Sequence, residues 1–231
     1  MTEAEENSGR NAAEAPETTS VLPIVAHKAE IVAAIRDHQV VVICGETGSG
    51  KTTQIPQICL QMGRGRHGLV ACTQPRRIAA VTVAERVAQE MGPLGGLVGW
   101  QHRFARNTTR DNKIKFMTDG ILLAEIRDNP MLPQYDTIMV DEAHERTLNI
   151  DFILGCLRKI LPRRRDLKVI VSSATLETRR FSDFFGGAPV VTIPGRTFPV
   201  EVRHRELDED ADLAQSVADA ALDALAEQPE G

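Results

Sequence analysis

Short apolar runs alternate with longer amphipathic stretches through the middle of this 231-residue chain. Val40-Val41-Val42-Ile43-Cys44 is the most uniform run, and Gly68–Thr73, Lys113–Met117, Thr137–Asp141, Leu167–Ser172 and Val190–Ile193 share its character. Such runs predict strands of a parallel sheet buried on both faces. Between them, helical spacing of apolar residues covers Ala26–Asp37, Lys51–Met62, Arg76–Met91, Asp119–Arg127, Asn149–Ile160 and Thr178–Phe185. The alternation argues for an α/β domain, a parallel sheet with helices on both faces, with ligands at the carboxyl ends of the strands.

Composition refines this picture at the two ends. The first twenty residues are rich in Glu, Ala, Thr and Asn and poor in large apolar side chains, so residues 1–20 read as a disordered acidic tail. Residues 1–25 carry a net charge of −4 and residues 206–231 a net of −9, which leaves +8 for the segment 26–205 within a total of −5. A basic body between acidic ends suits a polyanionic partner as well as it suits a solvated surface. The four cysteines, Cys44, Cys59, Cys72 and Cys156, form no C-x-x-C pair and read as reduced thiols. No apolar run approaches the ~18 residues of a membrane span, and the N-terminus lacks a signal peptide's apolar stretch. A soluble, cytoplasmic protein is expected.

Chemistry enters with Gly45-Glu46-Thr47-Gly48-Ser49-Gly50-Lys51-Thr52, which fits the phosphate-binding pattern G-x-x-x-x-G-K-[ST] between a strand and a helix. The glycines at 45, 48 and 50 let backbone amides turn inward toward the phosphates of ATP or another nucleoside triphosphate, and the helix start adds its positive end. Lys51 reaches for the β- and γ-phosphates, and the Thr52 hydroxyl is a candidate Mg²⁺ ligand. The run Thr137–Val140 delivers Asp141-Glu142-Ala143-His144 to a strand's carboxyl end. Asp141 is placed to hold Mg²⁺ through its water shell, and Glu142 to orient or deprotonate the attacking water, so Thr52, Asp141 and Glu142 are the candidate metal set. A dinucleotide fingerprint fails, because the third glycine of G-x-G-x-x-G is replaced by Thr53.

The other strands also end in polar residues: Thr73-Gln74-Pro75-Arg76-Arg77, Thr118-Asp119-Gly120 and Ser173-Ala174-Thr175. With GETGSGKTTQ and DEAH, the series TQPRR, TDG and SAT resembles the DEAH-box helicases in order and spacing. TDGILLAEI and DEAHERTLNIDFILG are most similar to the bacterial HrpA-type RNA helicases. The resemblance, from about Leu22 to Arg205, implies a RecA-like P-loop NTPase domain of an enzyme that hydrolyses ATP while moving 3′ to 5′ along single-stranded RNA. It implies triphosphate binding by Gly48, Gly50, Lys51, Thr52 and Thr53, and catalytic roles for Asp141, Glu142 and Lys51. His144 would couple the site to a facing domain. Ser173, Ala174 and Thr175 would relay between hydrolysis and RNA movement, and Arg86 would stack on the base. Arg76, Arg77, Thr118, Asp119 and Gly120 would line the RNA backbone, a structural role for Arg77 being the lesser alternative. Trp100 and Phe104 are open to two readings, stacking platforms for bases or core packing, of which core packing is the expected one. The basic loop 103–107 is a further candidate RNA contact.

The resemblance also carries a departure. Residues 21–195 correspond to the first RecA-like domain, while 196–231 read as a linker and the opening of a second one, with residues 212–226 as its first helix. The pattern Q-x-x-G-R-x-G-R, which supplies arginines from the opposite wall, does not occur in these residues. The expectation is therefore the ATP-binding half of a helicase active site, completed by a second RecA-like domain. Two alternatives stay open: a nucleotide- and RNA-binding module without activity of its own, and a P-loop motor acting on DNA.

Overall fold

A computed structural model of the chain describes residues 22–175, 178–195, 202, 204 and 212–227. The tail expected at 1–20 and most of the expected linker lie outside the described residues.

The chain opens with α1 (Pro23–Ala26) and α2 (Lys28–Asp37), followed by β1 (Val40–Gly45), α3 (Lys51–Gln61), β2 (Leu69–Gln74) and α4 (Arg77–Glu90). A 3₁₀ turn over Gly92–Leu97 leads into β3 (Val98–His102), β4 (Ala105–Asn107), β5 (Ile114–Thr118) and α5 (Asp119–Asp128). Then come β6 (Tyr135–Val140), a 3₁₀ turn Ala143–Glu145, α6 (Leu148–Ile160), β7 (Lys168–Ser173), α7 (Thr178–Phe184) and β8 (Val190–Ile193).

The eight strands form one sheet in the order β4-β3-β5-β2-β6-β7-β1-β8. Every pairing is parallel except β3 with β4. All six residues of β1 and of β6 are buried, the burial expected of central strands covered on both faces. One face packs Ile31 and Ile35 of α2, Ile55 and Ile58 of α3 and Val87 of α4 against the sheet. The other packs Leu122 and Ile126 of α5, Ile153 and Leu157 of α6 and Phe181 of α7. The expected two-sided architecture is present, and it places the ends of β1, β2, β5, β6 and β7 along a common edge.

The hairpin β3–β4 departs from the expected wholly parallel pattern. Trp100 pairs with Asn107 and His102 with Ala105 in an antiparallel ladder at the sheet edge, so the basic loop expected at 103–107 is partly strand. Gly99 is needed there by close approach, since a Cβ would fall 2.8 Å from the Asn107 carbonyl oxygen and within contact of the Asn112 side chain. Asn112 is buried and ties the region together, accepting from the Thr109 amide at 2.6 Å and donating to the Gly96 carbonyl at 3.0 Å.

Residues 197–231 form a separate unit, in which α8 (Leu213–Glu227) is helical as expected for 212–226. Its Leu213, Val217, Leu222 and Leu225 are exposed. Among the described residues, no helix is long and apolar enough to cross a membrane.

Candidate active site

The loop between β1 and α3 owes its path to two left-handed glycines, Gly48 at φ 83° and Gly50 at φ 93°. Gly50 tolerates nothing larger than hydrogen, because a Cβ would lie 2.9 Å from Ile24 Cγ2. The short α1 therefore braces the loop, and the Ile24 amide donates to the Ser49 carbonyl at 3.1 Å. Ser49 is buried and its hydroxyl donates to the Glu46 carbonyl at 2.7 Å. Glu46, Thr47 and Gly48 face solvent, and Thr52 and Thr53 in the first turn of α3 are half-buried.

Lys51 turns back into this loop and is only 6 % exposed. Its ammonium donates to the Gly45 carbonyl at 2.5 Å and the Glu46 carbonyl at 2.9 Å, with Ser49 Oγ at 3.3 Å. Burial holds its pKa below the ordinary lysine range, against an upward pull from Asp141 and Glu142. The result is a buried cation stored among backbone carbonyls inside an anion-binding loop.

Asp141 follows β6 and is fully buried. Its Oδ2 accepts from the Thr52 hydroxyl at 2.6 Å and from Gln74 Nε2 at 2.7 Å, joining α3, β2 and the end of β6 at one carboxylate oxygen. Its Oδ1 has no hydrogen-bond partner although it is buried. A carboxylate held by one oxygen and orphaned at the other suits a cation or its water shell. Among the described residues no group of three or more His, Cys, Asp or Glu side chains could hold a metal alone. That donor set fits Mg²⁺, which keeps several waters and takes few protein ligands beside phosphate oxygens. Gln74 was not anticipated, although its place at the end of the strand beside β6 was a usable signal.

Glu142 adopts left-handed backbone, φ 50° and ψ 36°, at the sharp turn out of β6. Such a conformation is uncommon for a residue other than glycine and recurs at functional sites. Burial first, and Asp141 next to it, raise the Glu142 pKa above the usual carboxylate value. His144 Nδ1 lies 3.2 Å from the Ala174 amide and 3.4 Å from Glu142 Oε2. An amide can only donate, so Nδ1 is the acceptor, and the ring carries its proton on Nε2. This bond ties the turn after β6 to the end of β7. There the buried Ser173 hydroxyl donates to the Thr175 carbonyl and accepts from the Thr175 amide, both at 3.2 Å.

The remaining predicted residues fall into different settings. Arg86 is 66 % exposed on α4 and pairs with Glu90 at 2.8 Å; Gln54 and Gln57 of α3 donate to the same carboxylate. Arg76 is exposed at the start of α4 and lies 3.8 Å from Glu145. Gly120 is exposed, whereas Thr118 is nearly closed off. Asp119 requires a correction: its side chain is 4 % exposed and does not line a surface. Burial raises its pKa to about 6. Phe104 requires another, since it is 70 % exposed rather than in the core. It caps a ladder in which Trp100 stacks on His102 at 5.4 Å and Arg77 lies 4.9 Å over the Phe104 ring. Trp100 itself is half-buried against the core, as expected. The cysteines are free as expected, with Cys156 only half-buried.

A glycine-rich loop and an acidic strand end, joined by Thr52 and Asp141 on a RecA-type sheet, define a P-loop NTPase domain of the helicase kind. The family pattern for DEAD/DEAH box helicases matches residues 26–184, and the chain belongs to that family. It is 53 % identical over 216 residues to the ATP-dependent RNA helicase HrpA of Escherichia coli (strain K12), covering 91 % of this chain and 16 % of that protein. It is 52 % identical over 210 residues to the ATP-dependent RNA helicase HrpA homolog of Haemophilus influenzae, covering 89 % of this chain and 16 % of the relative. The chain thus spans 16 % of the length of each of these curated relatives.

Proposed function

We propose that the chain carries the ATP-binding half of the active site of an ATP-dependent RNA helicase of the DEAH-box type. The bond from Thr52 to Asp141 carries this reading, because it brings the phosphate loop and the acidic turn to one point with an unused carboxylate oxygen. Residues 21–195 are the first RecA-like domain in this reading, and 196–231 lead toward a second. RNA as the substrate class is taken from the two relatives, both ATP-dependent RNA helicases by name.

ATP enters the loop and Lys51 exchanges its carbonyl partners for the β- and γ-phosphates, while the amides of Gly45 to Thr53 line the rest of the anion. Thr52 and Asp141, with Glu142 beside them, would hold Mg²⁺, which would supply neutralisation of charge on the phosphates. Glu142 accepts the proton of the attacking water, a role its raised pKa favours. Arg86 stacks on the base. His144 reads the position of Ser173-Ala174-Thr175 through the Ala174 amide and passes it to the turn that carries Glu142. Arg76, Arg77 and the exposed backbone at Gly120 contact RNA phosphates, which positions a strand without reading its bases. The facing domain of the longer protein supplies arginines to the γ-phosphate, and the whole enzyme moves 3′ to 5′ in the cytoplasm.

Calorimetry with Mg·ATP, and anisotropy with labelled single-stranded RNA and DNA of one sequence, test the proposal. Mg·ATP binding lost in Lys51→Ala, and RNA binding preferred over DNA, are expected. No Mg·ATP binding by the wild-type chain refutes the nucleotide site, and a preference for DNA moves the motor to another substrate.

A further inference from the structure

Helices α5 and α6 pack side by side over the sheet, and the seam between them is not closed. A groove of about 990 Å³ runs along it, floored by Leu123, Met131 and Cys156 and walled by Leu148 and Phe152. Leu148 is 84 % and Phe152 61 % exposed, although the opposite face of α6 is already buried through Ile150, Ile153, Leu154 and Leu157. α6 is therefore apolar on two sides and has a partner for one.

The charges at the groove are all of one sign. Arg127, Lys159 and Arg163 line it, and no Asp or Glu does. Among the described residues, only Arg127 has a carboxylate beside it, its exposed neighbour Asp128. An apolar groove of leucine, methionine, cysteine and phenylalanine between cationic edges is the recognition pattern for a bound amphipathic helix. A Phe anchor and an adaptable Met are typical of such surfaces. A nucleic-acid strand would instead need donors and cations along the floor, where the side chains are aliphatic, aromatic or thiol.

We propose that the α5–α6 groove is a docking site for an acidic, leucine-faced helix of a protein partner, a surface separate from the nucleotide site that borders the RNA contacts only at Gly120. α6 has thirteen residues and is about 20 Å long at 1.5 Å per residue, which accommodates three to four turns of a bound helix. The location gives docking a route to the chemistry. α5 begins at the Asp119-Gly120 strand end, and α6 begins directly after the turn that carries Glu142 and His144.

A fluorescein-labelled synthetic helix of eighteen residues, leucines on one face and glutamates flanking them, is the probe for anisotropy against the 231-residue chain. Saturable binding is expected, weakened at least tenfold by Phe152→Asp and by Lys159→Glu with Arg163→Glu. A probe with lysines replacing the glutamates should regain affinity for the doubly reversed variant. Thermal melting and Mg·ATP binding of each variant confirm the fold, since none of these residues belongs to the nucleotide site. No saturable binding of the glutamate probe, or equal binding of both probes to the wild type, overturns the proposal. So does displacement of the probe by single-stranded RNA, or a dimer in sedimentation that Phe152→Asp dissolves, which would make the occupant a second copy.

Discussion

Lys51→Met separates the cost of the stored cation from its use. In the nucleotide-free domain the ammonium is desolvated, and its lowered pKa means that the fold holds the proton less well than the unfolded chain does. The charged lysine therefore costs stability at neutral pH, and the cost fades as pH rises through the folded pKa toward the ordinary lysine value of 10.5. Methionine has nearly the same reach and no charge, but it leaves the Gly45 and Glu46 carbonyls without their donor. These effects oppose each other at about 1–3 kcal/mol each, so the free variant should melt within a few degrees of the wild type. Nucleotide binding has no such compensation. Two charge-assisted bonds to phosphate oxygens are worth about 3 kcal/mol together, or roughly a hundredfold in Kd. At ATP one hundred times the wild-type Kd, binding adds about 2.7 kcal/mol to the wild type and about 0.4 kcal/mol to the variant. In a domain of this size that is a rise in Tm of about 5–10 °C against about 1 °C. Differential scanning fluorimetry with and without Mg·ATP reads both quantities. An undiminished ATP-induced rise in Lys51→Met would refute the placement of this cation at the phosphates.

Glu142→Gln should keep Mg·ATP affinity while hydrolysis by a protein containing the whole site falls at least a hundredfold, measured as phosphate release. Since the Glu142 pKa is raised, the wild-type rate should decline on acidification from a pH above the ordinary carboxylate value of 4.5. Asp119→Asn should raise Tm at pH 8 and leave it unchanged near pH 4. Its folded pKa of about 6 lies above the ordinary aspartate value of 3.8, so the fold bears the buried charge fully only above pH 6. Melting curves across that range decide it, and a difference independent of pH rules out a charge effect. Arg76→Ala should weaken RNA binding equally for different sequences and reduce the slope of log K against log salt by about one.

The strands and helices were legible because burial on both faces, or on one stripe, leaves uniform apolar runs or helical spacing in the chain. The same holds for the phosphate loop, where glycines at 48 and 50 answer to positive φ at those positions. β3 and β4 escaped notice because an edge hairpin buries little, and Val98-Gly99-Trp100-Gln101-His102 alternates irregularly around a glycine needed for contact with Asn112. Phe104 was assigned to the core on its aromaticity, yet it sits at the tip of a hairpin where no core lies beneath it. Asp119 and Gln74 were misplaced or missed for a shared reason. A polar residue at a strand end points either to the surface or across to the neighbouring strand, and only strand order decides which.

That order also sets the width of the cleft. β7 lies between β1 and β6, so the phosphate loop and the acidic turn spring from strands two spacings apart, about 10 Å. Backbone spacing in a sheet is not adjustable by side-chain substitution, so the gap is a fixed gauge. Thr52 and Asp141 meet across it at 2.6 Å by side-chain reach alone. One methylene more at position 141 would overrun the gauge, and one fewer polar atom at position 52 would leave it open. Tolerance at these two positions is thus dictated by the intervening strand, which touches neither phosphate nor water in this reading.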